Sequence, residues 1–449
     1  SEVMKKLVSV LLCIIMVLTL AVGCSNSKAS NSSTDSSGAP SGNESKTANS
    51  SGEKKVLKMA HYVVIDNEEN SYDYGVGKIL AKFTEQTGIE VELEVIPWDQ
   101  LESKLVITNQ SGEPSGDIFA LSSQKLASVV NAGALMPLDD LIAKDFNKDD
   151  FNDAVFPAGT YVGDGKVYMI LQSVHARGLY YNKDLVSTPP STWDELVEIG
   201  KQVSKPEEGL YAFGFWGGKH YASVENILGP FIWSAGGKVT NDDGSAAWNT
   251  AEVAEAVKFL SDLVNEYKVS PESCLTVTDY NEIQESFKAG NIAMIIDGTY
   301  SYASYFESDL GKAGKIGFAP IPGKNGAAPN FSNGWAWGIP SNAKNPDLAW
   351  EFIKFFETKD IQIEHSKIEG GLPTLKACYE DETFKGYPFP DYIDNLQKYG
   401  RSMDPVVYYQ EGLESLAIAA GAYCLDPSQD LSKLLEESAT SFNKKYYNK

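Results

Sequence analysis

The apolar residues of this chain recur with two different periods, and the two periods alternate along the sequence. Residues 56–60 (VLKMA) form a short, mostly apolar segment that is typical of a strand. Ile79, Leu80 and Phe83 then recur at helical spacing. In residues 90–95, aliphatic side chains alternate with glutamates, which indicates a half-exposed strand. The pattern predicts a β-α-β unit at the start of a folded body.

The same alternation continues to the end of the chain. Further strands are predicted at residues 116–121 and 291–296. Further helices are predicted at residues 124–132, 193–203, 250–268, 281–289 and 346–357, and from residue 431 onward. Because strands and helices alternate, the predicted fold class is α/β, with mainly parallel open sheets and helices on both faces.

Length and charge narrow the function classes. The chain has 449 residues, which at about 150 residues per domain predicts two or three domains. Lys and Arg number 38 against 61 Asp and Glu, a net charge of −23. A surface that acidic repels phosphate backbones and anionic lipid headgroups, so nucleic acid is not an expected partner.

Residues 1–23 have the composition of a targeting signal. Lys5 and Lys6 precede an apolar run over residues 7–20, which is too short to span a bilayer comfortably. The segment ends at Cys24 and resembles a bacterial lipoprotein signal, in which Cys24 would carry the lipid. An uncleaved anchor helix is the alternative. Residues 24–53 are rich in serine and are expected to form a flexible tether from the lipid anchor to a body on the extracellular face of the membrane.

The motifs that usually reveal catalysis are missing from the sequence. The four histidines, at positions 61, 175, 220 and 365, are far apart in sequence and form no helical metal-ligand pair. No phosphate-binding loop and no nucleophile elbow occur. We therefore expect no metal and no cofactor. A glycosidase needs only two facing carboxylates, and a count of acidic residues cannot exclude that alternative.

Three segments in the middle of the chain carry a family resemblance, and a fourth lies further on. These segments are residues 161–168 (YVGDGKVY), 172–185 (QSVHARGLYYNKDL), 189–196 (PPSTWDEL) and 285–300 (ESFKAGNIAMIIDGTY). They resemble the extracellular solute-binding proteins of family 1, the carbohydrate receptors of ABC importers that are related to the maltodextrin-binding protein. The resemblance extends from about Val56 to the C-terminus.

The resemblance implies a two-lobed periplasmic-binding-protein type II fold. It places the N-terminal lobe at residues 54–170 plus 296–338 and the C-terminal lobe at 171–295 plus 339–449, joined by hinge strands. The implied protein is a monomer and not an enzyme, and it captures an oligosaccharide and delivers it to importer permease subunits. A secreted glycosidase or lyase and a receptor for a non-sugar solute are the alternatives.

A sugar site needs flat aromatic rings together with groups that hydrogen-bond hydroxyls. Residues of these types near strand ends and in glycine-flanked loops are the candidate ligand-binding residues: Tyr62, Trp98, Ser123, Gln172, His175, Trp216, Trp233, Asp297, Tyr300, Asn333, Trp335, Glu369 and Tyr408. For any single Trp, burial beneath a loop is the alternative role.

Several of these candidates rest on the resemblance. Tyr300 stands where the family usually has a tryptophan, and His175 aligns with a polar position that faces the sugar from a hinge strand. A histidine with a purely structural role is the alternative for His175. Leu121 falls where the maltodextrin relative has a stacking tryptophan, which argues against maltodextrin as the ligand.

Overall fold

A computed structural model describes residues 54–114, 116–278, 280–384 and 388–448. The predicted signal, the predicted lipid site at Cys24 and the predicted tether lie outside these residues. No helix among the described residues has the length and apolar character needed to cross a membrane.

In the described part of the chain, eleven strands form two larger sheets and one short pair. In chain order they are β1 (Val56–His61), β2 (Glu90–Val95), β3 (Ile118–Ser122), β4 (Met169–Leu171), β5 (Arg177–Asn182), β6 (Tyr211–Gly214), β7 (Ile292–Gly298), β8 (Ile316–Ala319), β9 (Asn330–Phe331), β10 (Trp335–Gly338) and β11 (Gly400–Arg401).

The α-helices of the described residues alternate with these strands. They are α1 (Ser71–Thr87), α2 (Leu101–Ser111), α3 (Leu126–Asn131), α4 (Asp139–Asp145), α5 (Val155–Gly159), α6 (Trp193–Val203), α7 (Tyr221–Ser223), α8 (Gly229–Ser234), α9 (Ala251–Asn265), α10 (Tyr280–Lys288), α11 (Tyr302–Phe306), α12 (Asp309–Lys312), α13 (Pro346–Phe356), α14 (Lys359–Glu369), α15 (Phe389–Tyr399), α16 (Tyr409–Leu425) and α17 (Leu431–Tyr446). Between α7 and α8 the chain makes a π-helical segment, Val224–Leu228.

The first sheet has the strand order β2-β1-β3-β10-β4. β1 pairs in parallel with β2 and β3, and α1 connects β1 to β2 as the sequence pattern predicts. Asn70 caps the start of α1 by accepting from the Tyr72 and Asp73 amides. The helix ends at Gly88, whose φ of 70° is the left-handed conformation that glycine adopts most easily.

The second sheet has the strand order β6-β7-β5-β8. Its middle strand β7 is buried along its whole length, as expected for a strand covered on both faces. The chain crosses from the first sheet to the second between β4 and β5, through residues 172–176. The family resemblance implies a lobe boundary in the same part of the chain, between residues 170 and 171.

The expectation of mainly parallel sheets is not met, because each sheet is mixed. β10 runs antiparallel to β3 and β4, and β5 runs antiparallel to β7 and β8. The antiparallel pairs arise because the chain crosses between the two sheets. A strand that follows a crossing enters its sheet from the end nearest the other sheet. It therefore runs antiparallel to the strands that local β-α-β connections place in that sheet.

The predicted lobe boundaries also disagree with the sheets in two places. The resemblance places residues 296–338 in the N-terminal lobe, but β8 lies within that range and pairs with β5 of the second sheet. Residues 339–449 were assigned to the C-terminal lobe, but Phe352 of α13 packs against Phe83 and Trp337 on the first sheet's side. The chain crosses back only after β8, because β7 and β8 both complete the second sheet.

Candidate functional site

A cavity of about 780 Å³ lies between the two sheets. Such a volume falls in the usual range for small-molecule sites. The walls come from loops after β1, β2 and β3, from the helical segment around the π-turn, and from the crossing segments. Strand ends thus face a common crevice, the usual ligand position in open α/β sheets.

The first-sheet side of the cavity is aromatic. The Trp335 and Tyr62 rings are in contact, with centroids 4.5 Å apart, and the Tyr62 hydroxyl donates to the Tyr72 hydroxyl at 3.0 Å. Trp98 also lines the cavity and is 51% exposed at the loop after β2. The rings of Tyr62, Trp98 and Trp335 offer flat surfaces for a ligand with apolar faces.

The second-sheet side adds three tyrosines, Tyr221, Tyr280 and Tyr300. Tyr300 follows β7, and the Arg177 guanidinium lies over its ring at 5.4 Å. Arg177 also donates to the side chains of Asn226 and Asn333 and to the Phe331 carbonyl. This guanidinium is therefore used in holding the wall together.

The cavity floor joins the crossing segment to the end of α14. His175 and Glu369 both line the cavity, and their Nε2 and Oε1 atoms are 2.7 Å apart. His365 Nδ1 lies 3.9 Å from the other oxygen, Oε2, of Glu369. His61, at the end of β1, lies within electrostatic range of His365. Three of the four histidines, which are far apart in sequence, are therefore near one another in this part of the structure.

Burial and charge act in opposite directions on these groups. Burial acts to raise the pKa of Glu369, but the charge and the hydrogen bond of His175 outweigh burial, with smaller contributions from His365 and Ser173, and lower the pKa to about 2. Burial lowers the pKa of His61 to about 3, with a further contribution from His365. The floor is therefore built around an ionised carboxylate, with a neutral imidazole at His61 near neutral pH.

Seven of the thirteen predicted residues line the cavity: Tyr62, Trp98, His175, Tyr300, Asn333, Trp335 and Glu369. These residues come from both sheets and from the crossings. A location at a strand end or in a glycine-flanked loop was therefore a useful sequence signal that a residue lines the cavity. Ligand contact by these residues remains a prediction.

The structure leaves two predicted tryptophans outside the cavity. Trp233 lies in α8, is 7% exposed, and packs against Arg401 with the guanidinium 4.5 Å from its ring. Trp216 is 4% exposed and lies behind Tyr280, whose ring centroid is 5.7 Å away. Both rings fill the core, and Gly217, Gly218 and Gly237 near them lie against neighbouring atoms and open no space for a ligand.

Four polar or aromatic candidates also lie outside the cavity. Asp297 is buried and accepts from Gln284 and Tyr305. Gln172 is fully buried in the crossing, and Tyr408 packs on Tyr446. Ser123 begins a 3-10 turn and lines a separate cavity of about 190 Å³.

Several cavity residues were missed by sequence reasoning: Tyr72, Glu102, Gln124, Lys125, Arg177, His220, Tyr221, Glu225, Tyr280 and Gln410. Some adjoin a predicted residue or segment, as Gln124 adjoins Ser123. Tyr221 and Glu225 lie on a helical segment whose π-turn has no sequence signature. Among the described residues, no group of three or more His, Cys, Asp or Glu side chains is arranged to hold a metal.

A cleft between two open sheets, lined by rings and hydrogen-bonding groups, defines the class of a solute receptor. Residues 67–363 match the family model of the bacterial extracellular solute-binding proteins. The chain belongs to this family. It is 30% identical over 300 residues to a binding protein of Brucella abortus. The aligned region covers 65% of this chain and 70% of that protein.

Two further comparisons involve sugar-binding proteins. The chain is 28% identical over 325 residues to the maltodextrin-binding protein MdxE of Bacillus subtilis, covering 69% of this chain and 71% of that protein. Its fold is similar to that of maltose-bound MalE3 of Thermotoga maritima, with a TM-score of 0.75 and 24% identity. That match covers 86% of this chain and 99% of MalE3. The comparison confirms the predicted two-lobed α/β fold.

Proposed function

We propose that the protein captures a neutral oligosaccharide outside the cell and delivers it to the permease of an ABC importer. The observation that carries the proposal is the presence of rings on both sides of one cavity, with carboxylate, amide and imidazole groups between them. Rings stack on the apolar faces of a sugar and the polar groups bind its hydroxyls. The sugar-binding relatives support the same ligand class.

The charges around the cavity favour a neutral ligand over a phosphorylated one. An anionic ligand calls for a free guanidinium or ammonium group. Arg177 is already committed to Asn226, Asn333 and Phe331. Lys125, the lysine of the cavity lining, lies within electrostatic range of Glu102, and Glu225 and Glu369 add two further carboxyl groups to the same lining. Leu121 is fully buried in β3 and has no aromatic ring. A sugar in this cavity must therefore stack on other residues.

A panel of neutral oligosaccharides tests the proposal. We expect at least one to bind the full-length protein in calorimetry and to reduce the radius of gyration in small-angle scattering, because the lobes should close on ligand. An unchanged radius at saturation would contradict capture by lobe closure. Absence of binding across the panel would contradict the ligand class.

The glycosidase alternative is tested with the same ligand. A receptor releases its ligand intact, whereas a glycosidase needs a general acid and a second carboxylate across the scissile bond. Chromatography after prolonged incubation should return the oligosaccharide unchanged. Shorter products that persist through repurification would favour catalysis.

Lipid attachment at Cys24 is part of the proposal and has its own test. Cys24→Ala should remove the thiol that receives the lipid, so the variant should appear in the medium or persist as an unprocessed precursor. Membrane fractionation of the native host followed by immunoblotting measures the distribution. Cys424→Ala is a matched control, since that cysteine is buried in the folded body. Equal membrane retention of both variants would argue against anchoring through Cys24.

A further inference from the structure

Glu225 is a buried carboxylic acid that sequence reasoning did not select. It lies in the π-helical segment Val224–Leu228, which packs beside the second sheet, and it lines the cavity. Its side chain is 4% exposed. π-helical turns inside helices are rare and occur often at functional sites.

The two oxygens of Glu225 have different surroundings. Oε1 accepts a hydrogen bond from Gln124 Nε2, which comes from the turn after β3 on the opposite side of the cavity. Within the described residues, Oε2 accepts no hydrogen bond and the carboxyl forms no ion pair. One oxygen thus joins the two sides of the cavity, and the other is available to a ligand.

We propose that Glu225 is a specificity-determining residue of the cavity. In its acid form it donates through Oε2 to a ligand hydroxyl, while Oε1 holds Gln124 across the cleft. The inference deepens the proposed function and rests on it. According to this inference, the ligand group that contacts Glu225 Oε2 carries an uncharged acceptor oxygen. A carboxylate or phosphate of the ligand is disfavoured beside Glu225.

The charged and titratable groups around Glu225 leave its charge uncompensated. They are Arg177 on β5, Tyr409 on α16, Tyr221 on α7 and, near Tyr221, Asp99, Glu102 and Glu414. Lys125 and His220 also line the cavity. Among the described groups that act electrostatically on Glu225, Arg177 is the cation, and its donors are engaged elsewhere. Burial therefore raises the pKa of Glu225 to about 7, with Arg177 opposing the rise.

This arrangement makes affinity depend on pH in a definite direction. A ligand that fills the cavity removes water from Glu225 and raises its pKa further, so binding takes up a proton when the free acid is ionised. Affinity should be highest below pH 7. It should fall about tenfold between pH 6 and pH 8, since ionisation near pH 7 then competes with binding.

Glu225→Gln tests the inference in the full-length protein. Glutamine has the shape of the neutral acid, and its amide donates where the acid donates. The probe is the tightest binder among maltotriose, cellotriose and xylotriose, measured by calorimetry at pH 6 and pH 8. Glu198→Gln, at an exposed position on α6, is the matched control and should keep the wild-type pH profile.

We expect the wild type to lose about tenfold in affinity from pH 6 to pH 8 and Glu225→Gln to stay within about twofold. A flat wild-type profile, or an equal loss in Glu225→Gln, would overturn the inference while leaving the proposed function in place. Absence of binding to all three sugars at both pH values would reject the proposed function and the inference together.

A measurement on the wild type alone tests the inference even if the Glu225→Gln variant does not fold. Calorimetry at pH 7.5 in two buffers with different ionisation enthalpies counts the protons exchanged on binding. Uptake of most of one proton is expected, because the free acid is largely ionised at that pH. Binding without proton uptake would contradict the role of Glu225.

Discussion

Replacing Glu357 with glutamine should stabilise the protein above pH 5, and the gain should grow with pH. Glu357 follows α13 and is 6% exposed; its Oε2 accepts from the Thr374 hydroxyl, and its Oε1 has no hydrogen-bond partner. Burial raises its pKa from 4.5 to about 8, against the opposing effect of Thr374. The folded protein therefore holds a proton that the unfolded chain releases.

The sign of the effect follows from proton binding. Between about pH 4.5 and pH 8 the folded state binds more protons than the unfolded state, so stability falls as pH rises. The contribution of one such group is about 1.4 kcal/mol per pH unit. Glutamine cannot ionise. At pH 8 the free energy of unfolding of Glu357→Gln should exceed that of the wild type by about 2–4 kcal/mol.

Urea unfolding at pH 5, 6, 7 and 8 measures the difference directly. The matched control is Glu380→Gln, at an exposed position, which should track the wild type at each pH. If the difference between Glu357→Gln and wild type does not change with pH, then Glu357 is ionised in the folded state.

The second large effect is expected at Trp335, where truncation to alanine should cost most of the affinity for an oligosaccharide. Trp335 begins β10 and lines the cavity beside Tyr62. Ring stacking and the covered apolar area together are worth about 2–4 kcal/mol, or roughly 30-fold to 1000-fold in Kd. Calorimetry with the tightest-binding oligosaccharide gives this value.

Trp233→Ala is the matched control, because the same ring is removed from a position outside the cavity. Its loss should lower the free energy of unfolding by about 3–5 kcal/mol, as expected for a large buried ring. Affinity should stay within about threefold. A large loss of affinity in Trp233→Ala, together with little change in Trp335→Ala, would reverse the assignment of the two rings.

The contrast between these tryptophans shows what local sequence can convey about a site. Both rings have glycine nearby, and Gly334 and Gly237 each approach neighbouring backbone or side chains closely. The sequence signal for the two positions is the same. Only the three-dimensional arrangement separates them, because Trp335 begins a strand whose end faces the cavity whereas Trp233 lies in a helix that packs under Arg401.

Local pattern alone determined much of the secondary structure and the fold class. The alternation in residues 90–95, the helical spacing before Gly88 and the glycine cap itself are short-range effects, and the structure contains β2 and α1 at those positions. The family motifs added the two-lobed fold and the crossing before His175. The local features depend on neighbouring residues in the chain, so one sequence is sufficient to predict them, whereas the two-lobed fold and the crossing came from the resemblance to a known family.

Tertiary structure decided the features that depend on distant segments. β8 pairs with β5 across more than a hundred residues, and no local pattern specifies that partner. His175 and His365 meet around Glu369, and His61 comes within electrostatic range of His365, only because β1, the crossing and α14 converge. Glu225 and Glu357 acquire their pKa values from burial. Burial depends on what packs against a residue, which the order of amino acids does not state directly.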